Sequence, residues 1–208
     1  MALVKYNNNS LSAVTSTAGM PGGTMVLIKE QTASSSATIS FVNGTSDVVL
    51  SSTYPIYLFK WINIHPSTEH DFSFQVSTNT GSSYGVNITS TYFQPSHNEA
   101  DTVADLTYQS GADLAQSTSF QKLSKDKGNA NDDNTCGEMY LFSPSSTTFV
   151  KHFISTSNMT YKQSSPHSVQ KFVAGYINTT SAVDAVQFKM SSVNIDAGTF
   201  KLYGIKDS

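Results

Sequence analysis

One segment narrows the possible folds more than any other: Thr53-Tyr-Pro-Ile-Tyr-Leu-Phe-Lys-Trp-Ile-Asn-Ile64. Side chains along a β-strand leave alternately from opposite faces. Read this way, Tyr57, Phe59 and Trp61 share one face, while Ile56, Leu58, Ile62 and Ile64 share the other. A strand with one wet face alternates apolar with polar residues, and here only Lys60 and Asn63 interrupt the apolar run. The pattern predicts a central strand covered on both sides, inside a β-sandwich or at a contact between subunits.

Shorter runs with the same period of two recur along the chain, at 24–30, 37–42, 47–50, 72–77, 84–93, 138–142, 147–156, 170–179, 183–191 and 199–206. In 72–77, Phe72, Phe74 and Val76 alternate with Ser73, Gln75 and Ser77, which predicts a polar outward face. Turn chemistry separates the runs at Asn43-Gly44, Asn79-Thr-Gly81 and Asp196-Ala-Gly198. Between 94 and 136 apolar residues thin out, and this stretch reads as one long polar insertion, with an exposed loop at 122–135. A weak amphipathic pattern at 101–115 allows a short helix, although Gly111 counts against it. Residues 1–23, with Asn7-Asn-Asn9 and Pro21-Gly-Gly23, read as an extended arm that orders by docking. The remainder, 24–208, is long enough for one domain with a substantial core. The prediction is an all-β, two-sheet antiparallel β-sandwich of jelly-roll type, whose last strand pairs with early ones.

Charge excludes several functions. Only 13% of residues are charged and the net charge is −3. Ser, Thr and Asn together make up about a third of the chain, solvating the surface without charge. All 12 basic residues are Lys. Without Arg there is no bidentate fork for phosphates or base edges, so no nucleic-acid partner is expected. No segment has the length of an apolar membrane span, and the N-terminal residues lack the apolar run of a secretory signal, so no membrane partner is expected. The lone Cys136 makes neither an intrachain disulfide nor a multi-cysteine zinc site. Five Asn-x-Ser/Thr sequons occur where about four arise by chance in so Ser- and Thr-rich a chain.

Candidate chemistry is sparse. His65 and His70 flank Glu69, but two ligands on one strand face need His-x-His spacing, and Pro66 intervenes. His97, His152 and His167 stand apart. Asn131-Asp-Asp-Asn134, with Asp126, supplies hard oxygen atoms but misses the spacing of a calcium loop and its closing Glu. Glu99, Asp101 and Asp105 lie near Tyr92, Phe93 and Tyr108, a combination compatible with a sugar-binding surface or a pair of hydrolytic carboxylates. No nucleophile elbow, phosphate loop or zinc-protease motif occurs. The reading assigns no catalytic, cofactor-binding or metal residue, and no cofactor. Trp61, Phe59, Phe72, Phe74 and Phe188 are assigned to the core or a subunit contact.

A family likeness completes the reading. The blocks Asn63-Ile-His-Pro-Ser-Thr68, Phe72-Ser-Phe-Gln-Val-Ser-Thr78 and Gly81-Ser-Ser-Tyr-Gly85 resemble small jelly-roll-like virion proteins of tailed bacteriophages, especially marine ones. So do Leu141-Phe-Ser-Pro-Ser-Ser-Thr-Thr-Phe149, Ala174-Gly-Tyr-Ile-Asn-Thr-Thr-Ser181 and Gly198-Thr-Phe-Lys-Leu-Tyr-Gly-Ile205. The resemblance implies a non-enzymatic structural role on the virion, after synthesis in the host cytoplasm. The expected role is capsid decoration, with other virion proteins such as the major capsid or tail protein as partners. Repeated sites on a shell favour a homotrimer. The alternative is a tail, fibre or baseplate component that binds a host-surface glycan or receptor.

Overall fold

A computed structural model describes residues 24–125, 128–162 and 166–206, so the arm predicted at 1–23 lies outside the described residues. Twelve strands form and no helix occurs among these residues. They are β1 (Met25–Ser36), β2 (Ile39–Val42), β3 (Ile56–Pro66), β4 (Phe72–Ser77), β5 (Ile88–Asn98), β6 (Ala104–Tyr108), β7 (Gln121–Ser124), β8 (Thr135–Phe142), β9 (Lys151–Lys162), β10 (Pro166–Ile177), β11 (Ala185–Met190) and β12 (Ile195–Ile205). An eight-stranded sheet has the order β1-β12-β3-β8-β9-β10-β5-β6, and a four-stranded sheet the order β2-β11-β4-β7. All neighbours pair antiparallel. The chain is therefore an all-β protein of two antiparallel sheets, consistent with a sandwich. β12 lies between β1 and β3, which joins the two ends of the described chain in one sheet.

The inward faces of both sheets build one core. β3 contributes Tyr57, Phe59 and Trp61, β12 contributes Phe200 and Leu202, and β8 contributes Met139 and Leu141. The small sheet answers with Phe41, Phe72, Phe74, Val76, Val186 and Phe188. Phe188 is the hub: its ring centroid lies 5.5–6.4 Å from those of Phe41, Phe59, Trp61, Phe72, Phe74 and Phe200. The five aromatic residues assigned to the core from the sequence are all fully buried.

Alternation along β3 fails at one point. Ile64 was expected beside Ile56, Leu58 and Ile62 on the second face, yet it is wholly buried in the core while Ile62 is exposed. The cause is a β-bulge. The pairing of β3 with β8 shifts register between Trp61 and Ile64, and Asn63 takes φ +54°, a left-handed conformation that Asn tolerates better than most residues. One extra residue reverses the phase and turns Ile64 inward. Across the ladder Gly198, at φ +135°, leaves room for the bulge; a Cβ there would meet the Asn63 carbonyl at 3.0 Å and Ile64 Cδ1 at 2.5 Å.

Three other expectations need correction. The outward face of β4 is polar but not exposed: Ser73, Gln75 and Ser77 are buried. Loop segments cover it, tied down by the Gln75 amide, which donates to the carbonyls of Val86, Thr118 and Ser119 at 3.0–3.1 Å. The polar stretch 94–136 is not one long loop. It holds the end of β5, all of β6 and β7, and the start of β8, and β6 occupies the place of the predicted helix. The predicted strand at 47–50 is turn and irregular chain.

Candidate interaction surface

The small sheet covers one face of the large sheet, and the opposite face turns outward. Strand pairing places its side chains in transverse rows. Leu27, Tyr203, Leu58, Tyr140, Ile154 and Ala174 are successive partners across β1, β12, β3, β8, β9 and β10. The neighbouring row contains Met25, Ile205, Ile56 and Phe142. These ten residues are apolar or aromatic. No strand of the described residues crosses the face, and Met25, Leu27 and Ile154 remain 48%, 50% and 51% exposed. Leu58 is buried between its cross-strand neighbours Tyr203 and Tyr140. The second apolar face of β3, legible in the sequence, thus looks out of the sandwich.

A row of charge borders this surface. Glu30, Lys201, Lys60 and Glu138 are successive partners. Lys201 Nζ lies 3.0 Å from Glu30, and Lys60 Nζ lies 3.2 Å from Glu138. Hydrogen bonding to Glu30, then its charge, raises the Lys201 pKa above the ordinary lysine value. Partial burial, then the Glu138 charge, raises that of Tyr140.

Farther along the same face, Phe93 of β5 and Phe172 of β10 stack with centroids 4.9 Å apart and planes 10° from parallel. Tyr108 of β6 pairs opposite Phe93 and donates to Asp113 Oδ2 at 2.6 Å. This is the one place where the residues singled out as a possible sugar platform converge, and only in part. Tyr92 points inward and is fully buried, Asp105 accepts from Ser96, and Asp101 bonds His97 at 3.1 Å. Glu99 is exposed. Phe172 and Asp113 were not anticipated, because cross-strand pairing brings Phe172 in from a distant part of the chain.

The histidine candidates do not converge. His65 reaches the Ala130 carbonyl at 3.2 Å and lies 3.8 Å from Asp196. His70 instead bonds Ser191 and Ser192 at 3.2 and 3.0 Å, and Glu69 is exposed. His152 faces Tyr176, and His167 faces Tyr161. The Asn131–Asn134 loop does meet His65: Asn63, His65, Asn131, Asp133, Asn134 and Asp196 line an open concavity of about 430 Å³. Asp133 is buried there and accepts from the Ala130 amide at 3.1 Å. Asp126 lies outside the described residues. Among the described residues no three His, Cys, Asp or Glu side chains are grouped to hold a metal ion. Cys136 is half-buried, with Sγ 3.3 Å from the Asn63 amide at the bulge. Another open groove, of about 810 Å³, is lined by Ser52, Thr53, Tyr54, Ser143, Ser146 and Lys206 among others.

No protein-family model, curated protein or solved structure matches this chain.

Proposed function

We propose that this chain is a non-enzymatic structural protein of a bacteriophage particle, a capsid decoration or cement component on the exterior. We further propose that its sandwich is a jelly roll. β5, β6, β9 and β10 extend one edge of the large sheet, and eight strands remain when they are set aside. Among these, β1 pairs with β12, β2 with β11, β3 with β8 and β4 with β7. First joins last and second joins second-last, as in one long hairpin rolled into two layers. Viral capsid domains use this architecture, as do lectins and cupins, so the fold alone does not choose among them.

The observation that carries the structural reading is the outward apolar face of the large sheet. Contiguous exposed apolar surface marks a contact site far more often than a reaction centre. A decoration protein works by burying such surface repeatedly, where neighbouring subunits of a shell need holding together. The sequence likeness to virion proteins points the same way. The test is the density of the intact particle: the chain should occupy symmetric exterior capsid sites at a stoichiometry matching them. Particles that lack the chain altogether would defeat the proposal.

The Phe93–Phe172 stack with Tyr108 and Asp113 favours a second reading, a tail or fibre component binding a host glycan. Aromatic faces flanked by hydroxyl and carboxylate groups suit a sugar ring. Binding of the isolated protein to a glycan array, lost in Phe172→Ala, would support it. An array without signal would leave decoration as the better account.

A further inference from the structure

We infer that the outward face of the large sheet is the contact between two copies of this chain, packed sheet against sheet about a two-fold axis.

The dimensions favour a sheet as occupant. Strands lie about 4.8 Å apart, so six of them with their side chains span about 29 Å, and two rows of side chains cover about 14 Å along the strands. The ten apolar positions then cover roughly 340 Å², within the roughly 300–600 Å² of the largest patch on a typical monomer, which is often a functional contact. The charged border row on one side brings the footprint to roughly 600 Å² per copy, about 1,200 Å² in total, the lower end of the range for stable interfaces. A single extended peptide covers one row and leaves the other wet.

The charges select the orientation of the second copy. Along the border row the signs run Glu30 negative, Lys201 and Lys60 positive, Glu138 negative. A two-fold axis parallel to the strands and centred on that row sets Glu30 against Glu138 and Lys201 against Lys60, like against like. An axis running between the two apolar rows, parallel to them, behaves differently. It lays Met25, Ile205, Ile56 and Phe142 of one copy over Leu27, Tyr203, Leu58 and Tyr140 of the other. Each charged row then moves to an outer rim, where its ion pairs are already made internally at 3.0 and 3.2 Å. The strands of the two sheets run antiparallel, within the roughly 30° of twist at which sheets stack. One patch meeting its own copy closes with two-fold symmetry, in place of the trimer suggested by repeated shell sites.

The test uses the full chain in solution and is independent of any particle. Sedimentation at rising concentration should give a dimer. Ile154→Lys and, separately, Leu27→Lys each bury an unpaired charge in the contact and should raise the dissociation constant on the order of 100-fold. Both sites are half exposed in the single chain, so the circular dichroism of the variants should match wild type. Leu106→Lys, at a 69% exposed site on β6 and outside the six strands of the contact, should leave the dimer intact. As a readout that needs no variant, peroxide oxidation of Met25 should slow as the dimer forms. A monomer at all concentrations, a trimer, or a dimer indifferent to both lysine variants overturns the inference. So does a dimer that survives Ile154→Lys and falls apart when residues 2–20 are deleted, which assigns the contact to the N-terminal segment. None of these outcomes decides the virion proposal, which is tested by locating the chain in particles; a dimer through this face leaves that proposal on the sequence likeness and the fold.

Discussion

Trp61 offers the sharpest check on the core. Its indole is fully buried, 5.5 Å from the Phe72 ring and 6.1 Å from that of Phe188. Truncation of such a ring to Ala costs about 3–5 kcal/mol through lost transfer energy and the cavity left behind. One feature lowers that figure: the Trp61 Nε1–H is buried and has no acceptor among the described residues. An orphaned donor of this kind costs about 1–3 kcal/mol in the folded state, and truncation removes it. Trp61→Ala should therefore sit at the low end, near 3 kcal/mol, a fall in Tm of about 6–12 °C for a chain of this size. Trp61→Phe separates the two contributions. It gives up about 1 kcal/mol of buried apolar area but also removes the unpaired donor, so it should lie within about 1 kcal/mol of wild type. Trp61 is the only tryptophan, so unfolding by denaturant should be followed by far-ultraviolet circular dichroism rather than indole fluorescence. Equal damage from Phe and Ala would refute the orphan-donor argument. A Trp61→Ala protein that melts like wild type would refute the core placement itself.

Three further perturbations probe separate devices. Gly198→Ala should cost about 1–3 kcal/mol in thermal unfolding, because φ is +135° and a Cβ meets the Asn63 carbonyl; an unchanged Tm would mean the bulge does not need that space. Gln75→Leu strips three part-buried carbonyls of their shared donor and should cost about 1–3 kcal/mol, with faster amide exchange in 79–90 and 117–120 as the checking measurement. Lys151 is buried and its Nζ donates to the carbonyls of Thr179 and Ser181 at 3.0 and 2.6 Å, so Lys151→Met should cost about 1–3 kcal/mol. Burial lowers the Lys151 pKa in the folded chain, so the unfolded chain binds this proton more tightly. The burial penalty is then complete at neutral pH and fades as pH rises through the lowered value toward the ordinary lysine range. Wild type should gain stability relative to Lys151→Met over that alkaline interval, and a gap that narrows there instead would contradict the sign.

Much of this architecture is legible in local alternation, because a half-buried strand writes its burial into every second residue. Phe72–Ser77 is recovered to the residue, and Phe188 of β11 is buried as assigned. Two of the failures share one cause: the deciding partner is distant in sequence. Gln75 resembles a solvent-facing residue until Val86, Thr118 and Ser119 close over it. β6 buries little of itself, since all but one of its residues are exposed, and it exists because β5 supplies a ladder. Ile64 changes face because a left-handed Asn63 adds one residue to the count, and that event leaves only a weak trace in composition.

The same logic explains why the chain announces a contact surface more clearly than a site of chemistry. Catalytic and metal centres gather a few polar groups from distant segments, and spacing along one chain seldom records that. A flat apolar face is assembled from consecutive strands, each carrying its share of the alternation. β3 carries two such records at once. Tyr57, Phe59 and Trp61 are accounted for by the small sheet, whereas Ile56 and Leu58 belong to a face that the described residues do not cover. Apolar residues on a wet face promote aggregation, and a surface of Ser, Thr and Asn offers easy polar replacements at every such position. Their alignment in register across the strands, beside charges already paired along the border, suits a contact between copies better than a freely solvated sheet.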